Sequence, residues 1–246
     1  MNEPWQPGQV LYRRRAPQRA RRFQIETVIL ATPEGGKRVI KRALHAEGIE
    51  HLRRMAANHR SLREIPGPVV PCPCKLQGDL LEMDHVEGVS LGQQLISALR
   101  AGDRAQLETL LALYRQCVTA LDPHADKLVG PGSRDAIFAG SDGEMSNTTD
   151  LVASGNIDQG FDHLIRQGDR LVLIDHEWIL GFPVATHYVL YRAAQLFFQE
   201  VPRQISPHFR LQDMCDFYGI TRAERVIYDR MEYHFQCFVR SEPGTA

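Results

Sequence analysis

Hydrophobic positions in the first third of this chain follow a strand-like pattern, and beyond about Leu91 they recur at helical spacing. The run Phe23 to Ala31 (Phe-Gln-Ile-Glu-Thr-Val-Ile-Leu-Ala) is rich in strand-favouring residues, and Pro33-Glu34-Gly35-Gly36 after it is a strong turn signal. Gln9 to Arg14 before it and Arg38 to Lys41 after it predict the other two strands of an antiparallel meander, with Lys41 near the end of the third. Ala46 to Leu62 predicts a helix, because Leu44, Gly48, Leu52, Met55, His59 and Leu62 recur at three- and four-residue spacing. The proline-rich stretch Ile65 to Pro73 breaks it. Leu76 and then Leu80 to Met83, around the Gly78-Asp79 turn, predict two more short strands.

The second pattern predicts helices over Leu91 to Leu99 and Arg104 to Leu121, the latter with apolar Leu107, Leu110, Leu111, Tyr114 and Val118. Pro123 to Ser154 carries Gly, Ser, Asp and Asn without clear period and reads as a long irregular loop. Leu164-Ile165, the Gln167-Gly168-Asp169 turn and Leu171 to Ile174 predict a hairpin that delivers Asp175. Two more helices follow, near Val184 to Gln199 and Arg222 to Val239. No internal repeat is present. The expected class is α+β with two lobes: residues 1–86 form a small five-stranded antiparallel lobe with one helix, and residues 87–246 a larger, mainly helical lobe. That order of elements is the architecture of the protein kinase fold.

Composition narrows the function classes. A chain of 246 residues with 43% hydrophobic content can bury a sizeable core, and its net charge of −1 gives no global field toward nucleic acid or membrane. The charge is nevertheless uneven, since Arg13, Arg14, Arg15, Arg19, Arg21 and Arg22 crowd one segment. No aromatic stacking motif accompanies them, which argues against nucleic acid and leaves at most peripheral membrane association. No apolar run approaches the roughly 18–20 residues that span a bilayer, and the N-terminus lacks the apolar core of a signal peptide. Five cysteines without framework spacing fit reduced thiols, so a cytoplasmic location is expected. Cys72-Pro73-Cys74 resembles half of a metal site, but its one-residue spacer is unusual for zinc and no second Cys/His pair accompanies it.

The chemistry concentrates in Asn156-Ile157-Asp158-Gln159-Gly160-Phe161-Asp162-His163 and in Ile174-Asp175-His176-Glu177. One aspartate lies in a loop and the other ends a strand. In phosphoryl transfer the first orients the attacking hydroxyl and takes its proton, and the second holds the divalent metal on the nucleotide phosphates. Lys41 is the candidate phosphate contact, held by Glu47 or Glu50, of which Glu47 borders the apolar stripe. Met83, Asp84 and His85 lie where an interlobe hinge would meet a nucleotide base. Arg15 to Arg22 should cover the phosphates but contains no glycine, so Arg19 and Arg22 are the candidate anion partners; a solvated basic face is the competing reading. His163 stands where kinases carry a metal-binding asparagine. It reads as a metal ligand, a surface histidine or a degenerate position, and imidazole at this place disfavours magnesium relative to manganese. Asp162 and Glu177 are secondary acidic candidates.

On these motifs the chain resembles the kinase-like domain of bacterial cell-surface polysaccharide proteins, above all that of bifunctional O-antigen chain terminators, which join a kinase to a methyltransferase. The resemblance is carried by Arg19 to Thr27, Lys41 to Leu44, His85 to Gly88, Asn156 to Leu164 and Ile174 to Arg192, with Ile174-Asp175-His176-Glu177-Trp178 and Tyr188-Val189-Leu190-Tyr191-Arg192 the most specific parts. It implies transfer of the γ-phosphate of ATP, with Mg2+ or Mn2+, to a hydroxyl of a saccharide or related small molecule in polysaccharide biosynthesis. Asp158 then matches the catalytic aspartate, Asp175 the metal aspartate and Lys41 the phosphate lysine, while His163 departs from the expected asparagine. No methyltransferase segment is expected in this chain: a methyltransferase partner supplies that activity or none exists, and a glycosyltransferase is the other partner the resemblance implies. Two other readings stay open: a pseudokinase serving as nucleotide sensor or scaffold, and a small-molecule kinase of the aminoglycoside or choline kind.

Overall fold

The computed structural model describes residues 9–65, 67–120, 128–141, 151–152, 155–201 and 209–241. The α+β class and the two-lobed order expected from the sequence are both present. Strands β1 (Val10–Arg15), β2 (Ile25–Ala31) and β3 (Lys37–Ala43) form the meander. Helix α1 (Ile49–Arg63), β4 (Val69–Pro71), β5 (Cys74–Gln77) and β6 (Leu80–Asp84) follow. The first sheet has the order β1-β2-β3-β6-β5 with every neighbouring pair antiparallel. Its inner face places Ile25, Leu81 and Met83 against Leu52, Met55 and Ala56 of α1, while Val28, Leu30 and Ile40 form a small cluster on the other face. Gly35 closes the β2–β3 turn at φ 82°, a left-handed conformation that glycine adopts without strain.

The second lobe begins with β7 (Val89–Ser90), α2 (Leu91–Ala101) and α3 (Arg104–Thr119). Ser90 caps α2 in a reciprocal box with Gln93, and the Asp103 carboxylate accepts from Gln106 N–H at the start of α3. Then come α4 (Arg134–Phe138), β8 (Leu151–Val152), β9 (Gly155–Asn156), β10 (Leu164–Gln167), β11 (Arg170–Leu173), β12 (Ile179–Leu180), β13 (Val184–Ala185), α5 (Thr186–Glu200), α6 (Leu211–Tyr218) and α7 (Arg222–Arg240). The β10–β11 hairpin is as expected, and its neighbours make a four-stranded sheet of order β4-β11-β10-β7.

Three features differ from the sequence expectation. The proline-rich stretch after α1 contains a strand, β4, which pairs in parallel with β11 through Val69–Leu171, Val70–Val172 and Pro71–Leu173. The stretch read as an irregular loop holds α4, with buried Ile137 and Phe138, and β8, which pairs with β13; within it, residues 123–127, 142–150 and 153–154 lie outside the described residues. Helix α6 was not expected, being only eight residues long.

The loop between β1 and β2, the glycine-free segment expected to cover the phosphates with arginines, is a strap anchored in the helical lobe. Ala20 and Phe23 are 2% and 1% exposed and belong to the large core built by α2, α3, α5 and α7. Ala20 N–H donates to the Val239 carbonyl of α7 at 2.8 Å, and Arg22 Nη2 donates to the Phe238 carbonyl at 3.1 Å. Phe23 meets Trp178 and His51 edge to face, with centroids 5.0 and 5.2 Å apart. Leu62, Ile65 and Val69 join the same core, so it draws on residues from both sides of the lobe junction. Truncation of the strap anchor, Phe23→Ala, should destabilise the fold by about 3–5 kcal/mol in equilibrium urea unfolding; a loss below about 1 kcal/mol would show that the strap is not held by this contact.

Candidate active site

Asp158 is presented by a tight turn that follows β9. Asn156 Oδ1 accepts from Asp158 N–H at 3.1 Å, and the Asp158 carbonyl accepts from Gly160 N–H at 2.7 Å. Two helices hold the turn from below: Tyr114 of α3 donates to the Gln159 carbonyl, and Arg192 Nη1 of α5 donates to the Ile157 carbonyl at 2.7 Å. Arg192 is itself fixed by Glu232 of α7 at 2.8 Å. These bonds satisfy backbone carbonyls that are buried in an irregular segment and would be costly unpaired.

His163 follows in the same segment. Its Nδ1 lies 2.5 Å from the Asp158 carbonyl oxygen, which can only accept, so Nδ1 carries the proton and the Nε2 lone pair is left for another partner. Asp175 arrives at the end of β11, and its Oδ1 accepts from Lys41 Nζ on β3 at 2.7 Å. The Lys41 side chain is 5% exposed. Ligand atoms of Asp158, His163 and Asp175 lie within 4.8 Å of one another, and among the described residues they are the one group of three able to hold a metal ion. Cys72 and Cys74 make no such group: the Cys72 thiol, pushed up to about 12 by burial, donates to the Asp84 carbonyl.

The electrostatics separate the two aspartates. Burial and the nearby Asp175 charge raise the Asp158 carboxyl. Burial would also raise Asp175, but Lys41 and His163 outweigh it and hold that carboxyl far below the usual range. Lys41 is pulled down by burial, then raised overall by Asp175 and Glu177. His163 is likewise depressed by burial and raised overall by Asp158 and Asp175. Glu177 sits two residues beyond Asp175 with its side chain 6% exposed. It accepts from Arg19 Nη1 at 2.5 Å and from His51 Nε2 at 2.9 Å. Arg19 and His51 overcome the burial penalty and hold Glu177 at about 2.

These groups open into one cleft of about 240 Å³ between the first sheet, the Asp158 turn and α5. Lys41, Asp158, His163, Asp175, Glu177 and Arg19 all line it. Other candidates lie elsewhere. Neither Glu47 nor Glu50 pairs with Lys41: Glu47, half exposed, meets Arg21 at 3.4 Å, and Glu50 meets Arg53 at 3.5 Å. The cause is local, because Ala46–Gly48 form a separate 3-10 turn before α1 and leave Glu47 at the surface. Arg22 stacks over Phe23 and Phe238 rather than lining the cleft. Met83 (2% exposed), Asp84 and His85 do not line it either, and Asp84 N–H is already committed to the Pro73 carbonyl. Asp162 lines the cleft, yet its Oδ1 accepts from Ser90 Oγ at 2.8 Å, and a side chain at Gly92 would collide with it.

Sequence reasoning missed Arg14 and Arg15, which line the cleft from β1, and His51, which ties α1 to Glu177. Arg15 is aimed by Glu26, a fully buried carboxylate on β2 that also pairs with Arg42 at 2.8 Å. Arg14 and Arg15 stand in the sequence only as members of an arginine-rich segment, and nothing local marks the fully buried Glu26 that orients Arg15.

No family model matches the sequence, and no curated protein matches it. Solved structures with a similar chain path include the macrolide 2'-phosphotransferase MphH from Brachybacterium faecium, at 10% identity over 90% of this chain and 89% of that chain, with a TM-score of 0.40. The PknI kinase domain of M. tuberculosis shares 15% identity over 92% of this chain and 96% of that one (TM-score 0.41). An ethanolamine kinase of Plasmodium vivax shares 13% identity over 93% of this chain and 72% of that one (TM-score 0.41). At these values the similarity is one of chain path.

His176, fully buried beside Asp175, packs against His59 of α1 at 5.8 Å between ring centroids. Burial pushes it down from 6.5 to about 4, so the fold holds it neutral. Its stabilising effect is complete above pH 6.5 and is lost as pH falls toward 4, because the unfolded chain binds the proton first. Unfolding free energies should therefore drop by about 2–3 kcal/mol between pH 7 and pH 4.5. A His176→Leu variant should show a visibly flatter profile in that window, and parallel profiles would refute the assignment.

Proposed function

We propose that this chain transfers the γ-phosphoryl group of ATP to a hydroxyl of a saccharide or a related small molecule, with residues 1–86 holding the nucleotide and residues 87–246 the acceptor. The observation that carries this reading is the convergence of Lys41, Asp158 and Asp175, from three separate segments, in one cleft with the Lys41–Asp175 pair at 2.7 Å. Phosphoryl transfer needs placed charges more than covalent chemistry. Asp158, whose carboxyl is raised by burial and by Asp175, is the better proton acceptor of the two aspartates. It takes the proton of the acceptor hydroxyl as that oxygen bonds to the γ-phosphorus. The bond from phosphorus to the bridging oxygen breaks, and its electron pair leaves with ADP. Lys41, with Arg14 and Arg15 at the cleft wall, neutralises the phosphate oxygens in place of glycine-loop amides.

The donor set fits a divalent metal held by Asp175 and His163 beside Asp158, since one nitrogen and carboxylate oxygens lie within 4.8 Å and Nε2 is the free imidazole nitrogen. Such an ion would offset the charge on the transferred phosphate. A nitrogen ligand favours manganese over magnesium. The resemblance carried by Asn156 to Leu164 and Ile174 to Arg192 favours a role in cell-surface polysaccharide assembly, with glycosyltransferase or methyltransferase partners, and the free cysteines favour a cytoplasmic location. A second reading, a nucleotide-sensing scaffold without turnover, is favoured by His163 in the place of an asparagine.

Thermal unfolding with ATP and Mn2+, ATP and Mg2+, and each metal alone tests the proposal. At about 100 times the dissociation constant, ATP with Mn2+ should add about 2.7 kcal/mol, a rise of roughly 5–10 °C for a chain of this size. The rise should be smaller with Mg2+, and His163→Asn should narrow the difference. No rise with either metal sinks the ATP reading. Asp158→Asn provides the separate test of turnover: it should keep the ATP-metal shift and lower phosphoryl transfer by about 10²–10⁴-fold. A chain that binds ATP but shows no transfer to any acceptor supports the scaffold reading.

A further inference from the structure

We infer that the acceptor reaches Asp158 through a second opening, distinct from the nucleotide cleft, and that this opening selects an acidic saccharide. The inference rests on the phosphotransferase reading. A cavity of about 130 Å³ lies between the strap, at Gln18 and Arg19, and the last turns of α7, at Gln236, Val239 and Arg240. Asp158 lines it, together with Trp178, Arg192 and Phe235. Among the described residues, Asp158 and Arg19 are the two that line both openings.

The division of side chains follows the needs of an in-line transfer. The attacking and leaving oxygens approach phosphorus from opposite sides, so the base must be reachable from the acceptor's side. Lys41, His163 and Asp175 line the first opening and none of them lines the second. The phosphate and metal chemistry therefore belongs to the first opening. The second offers two amide side chains, Gln18 and Gln236, suited to hydroxyl groups. Gln236 is steadied by Glu232 at 2.8 Å.

The charges point to an anion. Arg19 and Arg192 line the cavity but are committed, to Glu177 and to Glu232. Arg240 lies exposed at the end of α7 and makes no ion pair among the described residues. A carboxylate or phosphate on the acceptor would pair with exposed Arg240 while a hydroxyl of the same sugar faces Asp158. With Arg19 and Arg192 already offset by Glu177 and Glu232, a cationic acceptor would meet Arg240 and gain only Asp158 as an uncommitted carboxylate in this opening. Proton and bonds move as in the transfer above: the acceptor proton passes to Asp158, the acceptor oxygen bonds to phosphorus, and ADP departs.

Ligand-observed NMR on the full chain with Mn2+-free buffer, repeated by calorimetry with ATP and Mn2+, tests this with glucuronate and glucose 6-phosphate as acidic probes and glucose as their neutral twin. Both acidic probes, or one of them, should bind at least about tenfold more tightly than glucose. Arg240→Gln should erase that preference while leaving the ATP-metal thermal shift intact, and Arg240→Lys should retain part of it. Equal affinity for glucose and the acidic sugars, binding of none of the three, or an acidic preference untouched by Arg240→Gln would each overturn the inference. Failure of the ATP-metal shift in the native chain would instead remove the phosphotransferase reading, and the two failures are separately visible.

Discussion

The carboxylate of Glu177 is the constraint around which the rest of the site is arranged. A carboxylate this deeply buried is costly unless charges and hydrogen bonds surround it. Its partners come from three directions: Arg19 from the strap, His51 from α1, and the more distant field of Lys41 from β3. Meeting that need pulls the strap across the lobe junction and draws the N-terminal turn of α1 toward the loop after Asp175. It also changes the partner of Lys41. With His51 occupying the inward face of α1 and Glu47 at the surface, Lys41 turns to Asp175 instead of a helix glutamate.

The strap follows from the same requirement and then reinforces it. Once Arg19 is fixed on Glu177, Ala20 and Phe23 fall against Trp178 and the end of α7, where they are buried as fully as residues of the helices. A glycine-rich flap offers backbone amides to phosphates and stays free to lift. A segment hydrogen-bonded to Val239 and Phe238 does neither. Anion contacts on this side of the cleft are left to side chains, and Glu26 shows how one is prepared: its buried carboxylate holds Arg15 at 2.6 Å, so the guanidinium is placed before any ligand arrives.

The sequence made the regular elements legible and the connections between them obscure, for a physical reason. Period and turn chemistry are local, so the five-stranded sheet, α1, α2, α3, α5 and α7, and the hairpin that delivers Asp175 could be read from neighbouring residues. Asp158, Asp175 and Lys41 were legible as candidates because each stands at the end of, or in the loop beside, such an element. The strap depends on a contact 216 positions away, and β4 on pairing with a strand about a hundred residues later; neither leaves a local trace. His51 escaped because a histidine beside an apolar stripe carries no sign of a distant carboxylate. Glu47 misled because its helical phase was assumed one turn too early, the chain entering α1 only at Ile49.

Two carboxylates so close that their charges interact would ordinarily share one environment, yet here their proton affinities are driven apart. Lys41 touches Asp175 and not Asp158, and that one asymmetry leaves Asp175 ionised under all ordinary conditions and Asp158 the more basic. His163 lowers both carboxyls and acts on the site chiefly through a hydrogen bond. Its Nδ1–H is held by the carbonyl of Asp158 itself, so the ring cannot turn without losing a hydrogen bond to the turn that presents the aspartate. That bond couples the orientation of the imidazole to the backbone of the proposed base, so the ring and the Asp158 turn are held as one unit in the cleft.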